Sequence, residues 1–180
     1  NLNAPVYTIS GNHDVQIDSV SRFPLRWGIT VGPLRLIGFW ASFTDLGGGV
    51  NCGTISQTDL DFLAAELSAL NGKTPIMLGH YALAETVWGH MQSGYGRDEF
   101  LALCAQYSAK LYLSGHAHSP IWYAGDLVIV NSGVTNLNGR PALNPPHYFH
   151  ILDTYSDHIL IGLYDISHTG PLEIYRVELV

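Results

Sequence analysis

Short apolar runs alternate along the chain with glycine-containing polar turns, and the period of each run separates strands from helices. Val6-Tyr7-Thr8-Ile9 is short and β-branched, lies between Pro5 and Gly11, and predicts a buried strand that stops at Gly11-Asn12-His13-Asp14. Leu25 to Val31 and Leu34 to Trp40 flank Gly32-Pro33 and predict an antiparallel pair. A Gly-rich loop at Gly47-Gly48-Gly49 leads to Ser56-Gln57-Thr58-Asp59, a capping box in which Asp stands where Glu is usual. Leu60, Leu63, Leu67 and Leu70 then recur at helical spacing on one face, and Asn71-Gly72 supplies the stop.

Pro75-Ile76-Met77-Leu78 predicts the next strand, which ends at Gly79-His80. A second helix, Arg97 to Ser108 with Phe100, Cys104 and Tyr107 inward, precedes a strand Lys110-Leu111-Tyr112-Leu113 that ends at Gly115-His116-Ala117-His118. Short strands follow near Ile121 to Tyr123, Leu127 to Asn131, Tyr148 to Asp153, Ile159 to Tyr164 and Leu172 to Glu178; their close spacing predicts an antiparallel sheet. No internal repeat, low-complexity tract or charge block divides the chain, so a single domain over residues 1–180 is the simplest organisation.

Composition narrows the class. With 47% apolar and 13% charged residues, the 180-residue chain can bury a real core. A net charge of −7 is a poor match for a polyanion and argues against extended nucleic-acid binding. Cys52 and Cys104 are too few for a disulfide framework and are read as two buried free thiols. No apolar run approaches the roughly 20 residues that span a bilayer, so the chain reads as soluble with no membrane partner, its compartment open.

The chemistry lies where the strands end. Three apolar strands each run into a short Gly-containing loop with polar ligands: Asn12 and His13, then His80, then His116 and His118. In an open α/β sheet, ligands bind outside the carboxyl ends of the strands, which predicts that these loops converge. Imidazole suits Zn, Fe or Mn, and an Asn oxygen tolerates the harder ions among them. His90, in the Gly- and aromatic-rich segment Trp88 to Gly96, is a candidate for a substrate-facing loop. His147, His150, His158 and His168 are scattered among the later strands and read as surface or edge residues.

The ordered blocks Gly11-Asn12-His13-Asp14, Gly79-His80 and Gly115-His116-Ala117-His118, with Gly53-Thr54-Ile55-Ser56 leading into the helix, resemble the calcineurin-like metallophosphoesterase family. The resemblance implies an α/β fold, a sandwich of mixed β-sheets flanked by helices. It implies that Asn12, His80 and His116 hold one metal ion, that His118 holds its neighbour, and that His13 is the outer-sphere acid. It further implies two divalent or trivalent ions (Mn, Fe or Zn) in the complete enzyme and hydrolysis of a phosphoester by a metal-bridged hydroxide. A small phosphodiester or nucleotide is the favoured substrate. The alternatives are a phosphomonoesterase of purple-acid-phosphatase type and a non-catalytic scaffold of the same fold.

Two motifs of the family, D-x-H and G-D, are missing from their places. No Asp in the sequence has a His two positions on, and Gly125-Asp126 falls after the last motif, where it reads as a turn. Asp165-Ile166-Ser167-His168 is one residue too long for D-x-H. The expectation is therefore an N-terminally truncated fold: a chain holding at most one metal weakly, poorly active alone, and self-associating through the exposed sheet edge at Val6 to Ile9.

Overall fold

The computed structural model describes residues 5–14, 24–45, 51–83, 90–117, 121–131, 148–165 and 169–179. Its centre is a six-stranded sheet in the order β1-β2-β5-β6-β8-β7. β1 (Trp27–Val31) and β2 (Leu34–Gly38) form the expected antiparallel pair across Gly32, whose φ of 55° suits a residue without Cβ. β2, β5 (Thr74–Leu78), β6 (Leu111–Ser114) and β8 (Val128–Asn131) run parallel, and β7 (Ile121–Tyr123) closes the far edge antiparallel to β8. Parallel strands are covered on both faces, which is why Ile76-Met77-Leu78 and Leu111-Tyr112-Leu113 are continuous apolar runs.

The alternation along these strands sorts the side chains into two cores. Ile37, Met77 and Tyr112 face the helices, where they pack with Leu60, Leu63, Leu67, Phe100 and Cys104. Leu34, Ile76, Leu111, Val128 and Val130 face the other way, onto Ile159, Ile161 and Val177. Those last three belong to a second sheet, in which β9 (Tyr148–Thr154), β10 (His158–Asp165) and β11 (Glu173–Glu178) are antiparallel in the order β11-β10-β9. The later strands were expected in one antiparallel sheet and are divided between two. Val128-Ile129-Val130 is apolar enough for an interior position, so β8 joins β6 while only β7 sits at the edge.

Helix α1 (Gln57–Ser68) begins at the capping box read from the sequence. The Ser56 hydroxyl accepts from the Asp59 backbone N–H at 3.2 Å, and Asp59 accepts in return from the Ser56 N–H at 3.2 Å. Asp59 is 1% exposed, and Arg26 holds its outer oxygen at 2.6 Å. Complete burial of a side chain such as Leu63 contributes about 2 kcal/mol to folding. α2 (Arg97–Gln106) starts from Gly96 at φ 85°, where a Cβ would lie 2.4 Å from the Ile55 carbonyl.

Two expectations differ from the fold. Residues 5–10 are not a strand: the Thr8 carbonyl accepts from the Trp27 indole N–H at 2.8 Å, Tyr7 packs on the Trp27 ring at 5.2 Å, and Val6 is 67% exposed. The segment is held by a side chain instead of a ladder. Conversely, β3 (Ser42–Asp45) and β4 (Asn51–Thr54) form an antiparallel pair flanking a Gly-rich stretch that sequence reading treats only as a loop.

Candidate metal centre

β5 and β6 are neighbours in register, with Leu78 opposite Leu113, so Gly79-His80 and Gly115-His116 emerge at the same edge of the sheet. The ladder continues past the strands. Gly79 N–H donates to the Leu113 carbonyl at 3.0 Å, and Gly115 N–H donates to the His80 carbonyl at 2.9 Å, so the two loops are joined backbone to backbone. The third loop is a tight turn. Asp14 N–H donates to the Gly11 carbonyl at 3.1 Å, and Gly11 N–H donates to the Asp14 carboxylate at 2.6 Å, which presents Asn12 at the turn. Gly11 lies so close to His80 that a Cβ would be 2.8 Å from Cε1 of the imidazole.

Three polar atoms then meet. His80 Nε2 lies 2.9 Å from Asn12 Oδ1 and 3.2 Å from His116 Nδ1, and His116 Nδ1 lies 3.3 Å from Asn12 Oδ1. No protonation state turns all three contacts into hydrogen bonds. One ring N–H leaves a pair of lone pairs opposed, and two ring N–H groups oppose each other. A cation at the centre satisfies all three lone pairs. Donors held at about 2.1 Å from a shared Zn or similar ion stand about 3.0–3.4 Å apart, close to the observed triangle. Asn12, His80 and His116 therefore fit a metal ion in donor type and spacing. Among the described residues no group of three or more His, Cys, Asp or Glu could hold a metal, so the set is an amide with two imidazoles.

Backbone strain accompanies the geometry. His116 has φ 67°, in the left-handed region that a β-substituted residue seldom adopts, at about 1–3 kcal/mol. His13 is exposed on the same turn as Asn12. His118 lies outside the described residues, as do His147 and His168. His90 runs alongside β4, its carbonyl accepting from Gly53 N–H at 3.2 Å, and its buried Nδ1 has no hydrogen-bond partner among the described residues. His150 and His158 belong to the second sheet, not to the loops that bear the triad. Gly125-Asp126 lies between β7 and β8, as a turn should. Cys52 and Cys104 are buried free thiols, and burial pushes the Cys104 thiol up to about 12.

Sequence reading missed the residues behind the three converging donors. Tyr81 and Tyr112 are fully buried, and each looked like ordinary apolar strand or loop filling. Ser114 and Asn131, opposite one another on β6 and β8, form a buried polar pair at 3.2 Å just before the His116 loop. A polar residue closing an otherwise apolar strand, as in Val128-Ile129-Val130-Asn131, was the available signal.

The sequence model of calcineurin-like phosphoesterases matches residues 1–120, a stretch that contains all three converging loops. The chain belongs to the calcineurin-like phosphoesterase family. Members of this family generally use a dinuclear divalent metal centre. Among solved structures, the chain is similar to a dimetal phosphatase from Danio rerio, with a TM-score of 0.54 at 13% identity, covering 71% of this chain and 40% of that one. It is also similar to GAP50, described as the anchor in the inner membrane complex of Plasmodium, with a TM-score of 0.55 at 13% identity, covering 86% of this chain and 53% of that one. The chain thus spans about half or less of the length of these structures, and at this identity the likeness is one of fold. Comparison with curated proteins finds no match. No helix among the described residues is long and apolar enough to cross a membrane.

Proposed function

We propose that this chain carries one metal-binding half of a phosphoester hydrolase whose substrate is a small phosphodiester or nucleotide. The observation that carries the reading is the convergence of Asn12 Oδ1, His80 Nε2 and His116 Nδ1 at 2.9–3.3 Å from one another, the spacing of donors that share one ion. Divalent ions, when bound, supply Lewis acidity toward a phosphoryl oxygen and toward water. Asn12, His80 and His116 would hold one ion, and His118 would serve its neighbour. His13, exposed beside Asn12, is available to give a proton to the leaving oxygen without competing as a ligand. The net charge of −7 favours a small substrate over a polyanion. GAP50 is described as an anchor on the same fold. The donor triangle favours the hydrolase over that reading, because an anchor has no chemical need for three converging lone pairs.

Calorimetric titration of the chain with Mn or Zn tests the metal, and turnover of a chromogenic phosphodiester by the longest natural form of the protein tests the reaction. His116→Ala should lose metal and rate together, and His13→Ala should lose rate with metal retained. Absence of metal binding by the unmodified chain would overturn the reading, and equal metal loss in both variants would make His13 a ligand.

A further inference from the structure

Two imidazoles in the centre donate through in-plane lone pairs, so each must be held at one rotation about its own χ2. Their planes stand at 74° with centroids 5.0 Å apart. Tyr81, the residue after His80, is 0% exposed and packs on both: its ring is 4.4 Å from that of His116 at 47°, and 5.1 Å from that of His80 at 77°. Tyr81 is itself fixed. Its carbonyl accepts from the hydroxyl of the fully buried Tyr112 at 2.7 Å, and its ring lies against Gly53, where a Cβ would be 2.6 Å from the ring. Tyr112 in turn packs edge-on to Phe100 at 5.5 Å, so the chain of contacts ends in the helix-side core.

We propose that Tyr81 is the positioning residue of the centre: its ring sets the planes of His80 and His116, and the Tyr112 hydroxyl holds its backbone in place. The inference rests on the metal-centre reading and adds the residue that orients the ligands. Among the described residues the buried Tyr81 hydroxyl has no hydrogen-bond partner, and the contacts that reach the two imidazoles are those of its ring. Groups that orient metal ligands without touching the ion commonly govern about 10- to 100-fold of metal affinity.

The test uses the whole chain with Tyr81→Phe, Tyr81→Leu and Tyr112→Phe, and two readouts. Cobalt(II) titration followed in the visible spectrum reports affinity and ligand geometry. In the metal-free chain, the nuclear Overhauser effect between ring protons of His80 and His116 reports their mutual orientation. Tyr81→Phe should match the unmodified chain in both. Tyr81→Leu should bind cobalt about 10- to 100-fold more weakly, with an altered spectrum and a lost ring-to-ring effect, while the amide spectrum stays folded. Tyr112→Phe, which keeps the packing and deletes only the hydrogen bond to the Tyr81 carbonyl, should shift both readouts in the same direction by less. Unchanged cobalt affinity and ring-to-ring effect in folded Tyr81→Leu would overturn the proposal. If Tyr81→Leu does not fold, unchanged readouts in Tyr112→Phe overturn it. An unmodified chain that binds no cobalt but loses the ring-to-ring effect in Tyr81→Leu would refute the metal reading and leave the positioning role standing.

Discussion

Replacing Gly11 by Ala adds one methyl group at the wall of the candidate metal centre. The new Cβ would lie 2.8 Å from Cε1 of His80 and 3.0 Å from both ring nitrogens. An ordinary contact is about 3.5–4.0 Å, so the imidazole and the turn must separate by about 0.5–1 Å. The glycine is not in the left-handed region, so the backbone accepts Ala without strain and the steric contact alone is tested. Overpacking of this kind costs about 1–3 kcal/mol. In the metal-free chain the turn that bears Gly11 can move off the His80 ring, which Tyr81 holds in place, and relieve most of it. With an ion bound the ring is fixed, and the 2.9 Å separation of His80 Nε2 from Asn12 Oδ1 cannot open without losing a ligand. The cost should therefore fall on binding, weakening metal affinity by about 5- to 150-fold, with a smaller loss of metal-free stability. Calorimetric titration and urea unfolding measure the two quantities. Gly72→Ala is the control: Gly72 has φ 77° and nothing within 4 Å of its Cβ position, so it should cost about 1 kcal/mol of stability and leave metal affinity alone. Metal affinity in Gly11→Ala within twofold of the unmodified chain, or an equal fall in Gly72→Ala, would refute the reasoning.

Two further outcomes are expected. Asp59→Ala removes the acceptor for the Ser56 N–H and the partner of Arg26 at a buried helix start, and should lower the stability measured by urea unfolding by about 2–4 kcal/mol; a loss under about 0.5 kcal/mol would mean that the capping network is incidental. Burial holds the His150 imidazole below its ordinary pKa of 6.5, so as pH falls below 6.5 the unfolded chain takes up a proton that the folded chain resists. The His150 contribution is therefore fully present above pH 6.5 and is lost progressively as pH drops toward the folded pKa; His150→Phe should flatten the difference between urea midpoints at about pH 7.5 and 5.5, and an unchanged difference would refute the assignment.

Much of this fold could be read from local patterns, because the decisive signals were local. Ser56 and Asp59 announced α1 three residues apart, and Leu60, Leu63 and Leu67 announced the face it buries. The two runs around Gly32 announced their own hairpin. Failures occurred where a distant partner decides. Val6 to Ile9 has strand composition, yet its backbone goes to the Trp27 indole, 19 residues on from Thr8. Val128 to Asn131 has the same composition as the strands that follow, and only its neighbour β6 makes it parallel. At the candidate centre, the strand-end rule brings His80 and His116 together because β5 and β6 are adjacent and parallel, whereas Asn12 joins them from a segment that is not a strand, on the tight turn closed by Gly11 and Asp14. Tyr81 gave no such signal: its role comes from ring planes and from the missing Cβ of Gly53, which no spacing along the chain encodes.

On the proposed metal-centre reading, the left-handed backbone at His116 sets protein stability and metal binding against each other. Glycine adopts φ 67° without the cost that a β-substituted residue bears, so His116→Gly should relax the turn after β6 by about 1 kcal/mol while deleting a metal donor. A search for thermostable variants that scored folding alone would favour that exchange and discard the centre unnoticed. Engineering of the scaffold must, on that reading, select for metal binding alongside melting temperature.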